Sequence, residues 1–271
     1  MIGALKKASS TAAFSVLRAA DNYLLRHLSS AAPKLSEAIQ KFSRVKNEQI
    51  ITQIEHVRDR LLADNRPLVD HTLGDGGLYD QNVTIRRAAQ ASAPRTTLQF
   101  LFSLCREYQP SCSIELGTNV GISSAYLAAA MNTGALQTLE ASPYRLRIAQ
   151  SIHKELGISR IRYSQGLFTD TLESVLNTLD PIDMAFVDGH HQFQPTLDYF
   201  DAIWRRSKEG CIFIFDDIRW SEGMKQAWKV LRADPRMTVA VDLRRIAVCI
   251  TTRSPSSRGP TVFSPRWVLR R

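Results

Sequence analysis

No apolar run in this 271-residue chain approaches the ~18–20 residues that a membrane-spanning helix needs, so no membrane span is expected. Cysteine is scarce. Cys105, Cys112, Cys211 and Cys249 form no C-x-x-C pair, which excludes the common zinc and dithiol patterns. Three of them lie in or beside apolar segments, where cysteine acts as a small hydrophobe. Without a disulfide framework, the reducing cytoplasm is the expected compartment. Acids are missing from residues 1–20 and from the last 19 residues. The basic start would suit a transit peptide, but no small-residue cleavage site follows a proper apolar stretch. Leu5, Phe14, Leu17 and Leu24 instead mark an amphipathic helix.

The net charge of +9 is unevenly placed. Residues 1–95 hold 14 Lys/Arg against 9 Asp/Glu, and residues 253–271 hold 5 against none. The centre, 96–252, holds 16 against 17. A near-neutral centre argues against a nucleic-acid track, although the basic arms permit a macromolecular partner. The proline-containing tail reads as solvated or loosely docked.

Helical spacing runs through Leu35, Ile39, Phe42, Val45, Ile50, Ile54, Val57 and Leu61, and ends at Asn65 and Pro67. A Gly/Asp-rich loop follows at 70–82, a lid or a connector. One or two more helices precede residue 112, with a break at Pro94. From Cys112 the pattern changes to short apolar strands alternating with helices, ending in two strands joined by a tight turn at Arg244–Arg245. The expected fold class is α/β: a Rossmann-like doubly wound sheet of seven mostly parallel strands, the last pair antiparallel, with an N-terminal helical extension. The expected divisions are 1–95 for the extension, 96–252 for the sheet domain and 253–271 for the basic tail.

Ligands of such sheets lie at the carboxyl ends of the strands. Here those ends carry Glu115 to Gly117, Glu140, Gln165 and Gly166, Asp188, and Asp216 with Asp217. Gly117 and Gly121 turn the chain into a helix whose N-terminus suits a carboxylate or phosphate. The dinucleotide pattern G-x-G-x-x-G is missing, because Asn119 and Ile122 occupy its middle and last positions. Glu140, ending the next strand, suits two ribose hydroxyls. A nucleoside with a carboxylate tail meets both demands, and S-adenosylmethionine is such a molecule.

"ELGTNVGISSAYLA" and "TLEASP" resemble the first two motifs of class I S-adenosylmethionine-dependent methyltransferases. The E-x-G-x-x-x-G form resembles the O-methyltransferase branch, distantly similar to catechol O-methyltransferase. "FVDGHHQFQPTLDYFD" and "GCIFIFDDIRWSEGMKQAW" resemble a bacterial branch with D-G-x-H and D-D elements. The resemblance spans 96–252. It implies methyl transfer to an oxygen nucleophile of a small molecule. Glu115, Gly117, Gly121 and Ser123 would serve the methionine end of S-adenosylmethionine, and Glu140 the ribose. Gly166, Leu167 and Phe168 would flank the adenine. Asp188, also near the cofactor, would join Asp216 and Asp217 as ligands for Mg²⁺. Two departures stand out. Asp217 replaces an asparagine, and His191 stands where a lysine base is expected.

Plainer roles exist for these residues. Asp216 and Asp217 could pair with Arg219 or cap the next helix, and Asp188 could cap its own. His190 and His191 could be loop residues, with His191 the better base. Trp220 could line a pocket or sit in the core. His27, His56, His71 and His153 read as surface or helix residues. The N-terminal helices would build the substrate cavity or a homodimer contact. N-methylation of a macromolecule and a non-catalytic binding protein remain as alternatives.

Overall fold

In a computed structural model, residues 25–68, 83–255, 257 and 259–264 are described. The amphipathic stretch up to Leu24, the 70–82 loop and the final basic residues lie outside them.

The N-terminal region is helical, but its long apolar rhythm is split. Helix α1 (Pro33–Lys41) starts on a proline, and α2 (Gln49–Ala63) follows a single 3-10 turn at Val45–Asn47. The cause is visible in the spacing: Val45 to Ile50 is a five-residue gap, one too many for the same helix face. Leu35, Ile39, Ile51, Ile54, Val57 and Leu61 all point inward and are buried. Thr84 caps the short α3 (Ile85–Gln90) by accepting a hydrogen bond from the Arg87 amide at 3.2 Å. Pro94 then precedes α4 (Arg95–Tyr108).

Strands and helices alternate from there: β1 (Cys112–Leu116), α5 (Ile122–Ala130), β2 (Ala135–Glu140), α6 (Pro143–Glu155), β3 (Ile161–Gln165), α7 (Phe168–Leu176), β4 (Ile182–Val187), α8 (Phe193–Arg205), β5 (Ser207–Phe215) and α9 (Glu222–Leu231). The hairpin β6 (Met237–Leu243) and β7 (Ile246–Thr251) turns on Arg244 and Arg245, and β8 (Thr261–Phe263) follows. The sheet order is β3-β2-β1-β4-β5-β7-β6-β8.

The sheet has eight strands where seven were expected. β8 comes from the Pro/Ser-rich tail and pairs parallel to β6 over three residues, so part of that tail is docked. β7 is the antiparallel member, lying between β5 and β6.

Both faces are covered, as a parallel sheet requires. Met184 and Phe186 of β4 face the layer containing α4, α5 and the N-terminal helices. Ala185 and Val187 face α7, α8 and α9. The extension therefore shares a core with the sheet domain. β2 and β4 flank β1, and the chain reverses its winding there. That switch opens a crevice above the ends of β1 and β4.

Candidate active site

The crevice is a cavity of about 1000 Å³, at the upper end of the ~300–1,000 Å³ usual for small-molecule sites. Among the expected residues, Gly117, Ser123, Glu140, Leu167, Phe168, Asp188, His191 and Asp217 line it. Glu115, Gly121, Gly166 and Asp216 do not.

Gly117 has φ +103°, and a Cβ there would fall 2.0 Å from the Asp188 carbonyl oxygen. The Asp188 amide donates to the Leu116 carbonyl, so the two loops are pinned together. Gly117→Ala should therefore cost about 3 kcal/mol or more, combining left-handed strain with overpacking. A drop in the thermal unfolding midpoint measures it; unchanged stability would mean that the loops are further apart than this.

Gly121, at φ +85°, is also constrained by packing. A Cβ there would meet Ala149 and the His153 ring at 2.7–2.8 Å. His153, read as a surface or helix residue, lies on α6 and is only 1% exposed. Nε2 lies 2.7 Å from the Gly121 carbonyl, and Nδ1 lies 2.8 Å from the Tyr163 hydroxyl. Burial holds its pKa down at about 4. The neutral ring can donate from Nε2 to the carbonyl and accept at Nδ1.

Glu140 is gripped by two backbone amides. Oε2 accepts from Asn119 N–H at 2.7 Å, and Oε1 accepts from Ser142 N–H at 2.9 Å. A carboxylate has lone pairs to spare after two such bonds. Ser142 also caps α6, with Pro143 at the first helical position, so the turn after β2 is set locally.

Glu115 is wholly buried. Its Oε2 accepts from the hydroxyls of Ser124 and Thr138. Burial raises its carboxyl above the ordinary range, opposed by the hydroxyls of Ser123, Ser124 and Thr138. Glu115 Oε1 and Asn119 Oδ1 are buried oxygens without a hydrogen-bond partner among the described residues. Unsatisfied buried acceptors are rare and suit a ligand that brings donors.

The D-G-x-H element builds the opposite wall. A Cβ on Gly189 would strike the Phe168 ring at 2.6 Å, so only glycine lets that ring settle there. Phe168 meets His190 and Tyr199 edge-on, with centroids 5.9 and 5.7 Å away. His190 is hydrogen-bonded to the Tyr199 hydroxyl and stacked on that ring, which makes it a structural member of the wall. His191 faces inward, with Nε2 3.6 Å from Asp188 Oδ1. Its carbonyl accepts from Ser221 Oγ, and Ser221 also caps α9. Trp220 lines the mouth and is 67% exposed, so it is not a core aromatic.

Asp188, Asp216 and Asp217 do converge, but the cation among them is Arg245. Its Nε and Nη2 donate to the two Asp216 oxygens at 3.1 and 3.0 Å, and Nη2 also donates to Asp217 at 3.1 Å. Arg219, the sequence-based candidate, pairs instead with Asp242 at 2.7–2.8 Å. Burial, then the charges of Asp216 and Asp217, raise the Asp188 carboxyl well above its usual range; Arg245 opposes them. Among the described residues no group of three or more His, Cys, Asp and Glu is arranged to hold a metal ion. The guanidinium occupies the place, so these residues do not fit a resident Mg²⁺.

Six non-glycine residues among those described have positive φ, and four of them (Asn119, His190, His191 and Asp217) line this cavity. Strained backbone of this kind collects at functional sites. The N-terminal region supplies the remaining wall, including Val83, Arg87, Gln90, Ala91 and Pro94. The N-terminal helices were expected at the substrate cavity or at a dimer contact, without named residues; Arg245 was not expected in the site. For Arg245 the available signal was its place in the turn before the last strand.

Part of the sequence and the fold are similar to those of known proteins. The sequence model of a family described as a methyltransferase domain matches residues 114–218. An uncharacterized protein of Acanthamoeba polyphaga mimivirus is 33% identical over 81 residues, covering 28% of this chain and only 34% of that protein. The chain thus spans about a third of this curated relative. The fold is similar to that of the O-methyltransferase from Bacillus cereus, solved with SAH (TM-score 0.56, 20% identity, 78% of this chain and 96% of that one). It is also similar to the O-methyltransferase TomG from Streptomyces achromogenes, solved with SAM (TM-score 0.52, 22% identity, 61% of this chain and 88% of that one). At such identities the likeness is one of fold. Residues 114–218 thus match a methyltransferase domain, within a chain whose fold is shared by these O-methyltransferases.

Proposed function

We propose that this protein transfers a methyl group from S-adenosylmethionine to an oxygen nucleophile of a small molecule. One observation carries the reading. Glu140, oriented by two backbone amides, faces the same cavity as the Gly117 turn and the His191–Asp188 pair. Bound S-adenosylmethionine supplies an electrophilic methyl on a sulfonium. The lone pairs of Glu140 would accept from the ribose hydroxyls. Ser123 and the N-terminus of α5 would receive the methionine carboxylate. Leu167 and Phe168 would cover the adenine. Gly117 shapes this cradle directly, while Glu115, Gly121 and Gly166 support it from behind.

On the acceptor side, His191 takes the proton as the oxygen attacks. Asp188 Oδ1 stands 3.6 Å from its Nε2, and both side chains line the cavity. Val83, Arg87 and Pro94 line the same cavity, which supports the cavity role for the N-terminal helices over a dimer contact. Holding both reactants in line supplies much of the rate.

The test is methyl transfer from labelled S-adenosylmethionine to a panel of hydroxylated small molecules. His191→Ala should lower kcat by ~10²–10⁴, the usual worth of a general base, while S-adenosylhomocysteine affinity holds. Unchanged kcat would remove His191 from the reaction. Binding without turnover on any acceptor would favour a non-catalytic protein.

A further inference from the structure

We infer that Arg245 replaces the divalent cation in this site: its guanidinium is the fixed positive charge beside the acceptor oxygen, and the reaction needs no metal. The catalytic half of this inference rests on the function proposed above; the metal half stands alone.

Three features meet at Arg245. Its Nε and Nη2 are spent on Asp216 and Asp217, with N···O distances of 3.0–3.1 Å. Those are two of the three carboxylates that a metal would require. Asp216 is 1% exposed, so its charge must be matched from within. Arg245 also lines the cavity, alongside Asp188, His191 and Asp217. Its Nη1 makes no hydrogen bond among the described residues, which leaves two N–H donors for a ligand.

The backbone explains the placement. β6 and β7 form a two-residue hairpin, with Leu243 opposite Ile246. Arg244 takes φ +69°, and its amide donates to Asp242 Oδ1 at 2.8 Å. β7 runs antiparallel beside β5, so the hairpin tip arrives at the end of β5, where Asp216 and Asp217 begin. The Ile218 amide donates to the Arg245 carbonyl at 3.0 Å and locks the two loops together. A guanidinium held this way is preorganised, as electrostatic stabilisation of a developing charge requires. When the acceptor loses its proton to the His191 imidazole, the electron pair stays on oxygen, next to Nη1.

The test is calorimetric titration of Mg²⁺ and Mn²⁺ into the full chain, wild type and Arg245→Ala, with S-adenosylhomocysteine binding measured in parallel. The wild type should show no specific metal binding. The variant frees the carboxylates and should bind at least ~10-fold more tightly, since affinity for hard cations follows ligand charge. Arg245→Gln, closer in size, gives the same comparison if the alanine variant does not fold. Stoichiometric metal binding by the wild type overturns the inference, and so does a folded variant that gains none. With an acceptor in hand, EDTA should leave kcat unchanged, and Arg245→Gln should lower kcat more than it raises KM. Failure of the wild type to bind S-adenosylhomocysteine would strike the proposed function instead, leaving the metal result as it stands.

Discussion

Replacing Glu140 by alanine is expected to weaken S-adenosylhomocysteine binding by ~10²–10⁴-fold, because two hydrogen bonds to a charged group, each worth ~1.5–3 kcal/mol, are lost together. The preorganisation of Glu140 is the reason for so large an effect. Its oxygens are already held by the amides of Asn119 and Ser142, so little ordering remains when a ribose arrives. The same side chain supports the Gly117–Gly121 turn through Asn119. Asn119 in turn donates from Nδ2 to the Ala88 carbonyl of α3 at 2.7 Å. Loss of the carboxylate therefore loosens the cradle as well as the ribose contact. Glu140→Gln keeps the shape and one acceptor oxygen, and should fall between alanine and wild type. Calorimetric titration of the three proteins decides the matter. Equal affinity across them would remove Glu140 from the cofactor site, and with it the main support for the proposed function.

Acidification from pH 7 to pH 4 should cost the fold about 3 kcal/mol through His153 alone, from a pKa lowered by roughly 2.5 units at 1.36 kcal/mol each. The direction follows from the buried neutral ring. In the unfolded chain His153 takes a proton near pH 6.5; in the folded protein it does so only near pH 4. Between these values the unfolded state binds more protons, so stability falls with pH. Below pH 4 both states are protonated and this contribution levels off. Protonation also converts Nδ1, which faces the Tyr163 hydroxyl, from acceptor to donor. Since Nε2 holds the Gly121 carbonyl, the turn under the cofactor should loosen over the same range. Urea unfolding at pH 7.5 and 4.5 measures the effect in wild type and in His153→Gln. The variant should be less stable at pH 7.5, and its pH dependence between 7.5 and 4.5 should be smaller by about 2.5 kcal/mol. Equal pH slopes in the two proteins would assign the acid sensitivity to other groups.

The strand-end wall of the cavity was legible from the chain because its information is local. A strand, a glycine turn and a helix N-terminus follow one another within residues 113–131, and Glu140 closes the next strand. His191 was legible for the same reason, since Asp188, Gly189 and the two histidines are contiguous. His153 could have been found by helical period: it lies seven residues after Leu146 and four after Ala149, on the buried side of α6. Gly121 was singled out for its turn, and its missing side chain also makes room for α6.

The sequence by itself determined the alternation of strands and helices, the polar residues at the strand ends and the tight turn at Arg244–Arg245. Each depends on residues within one or two turns of chain. Only the tertiary structure decided which cation meets Asp216 and Asp217, because that depends on β7 inserting between β5 and β6, a choice made by packing across the whole sheet. It alone placed α3 against the Gly117 turn and added β8 to the sheet edge. Three residues in a proline- and serine-rich tail carry too little periodic signal to announce a strand; the exposed edge of β6 supplies the partner that makes them one.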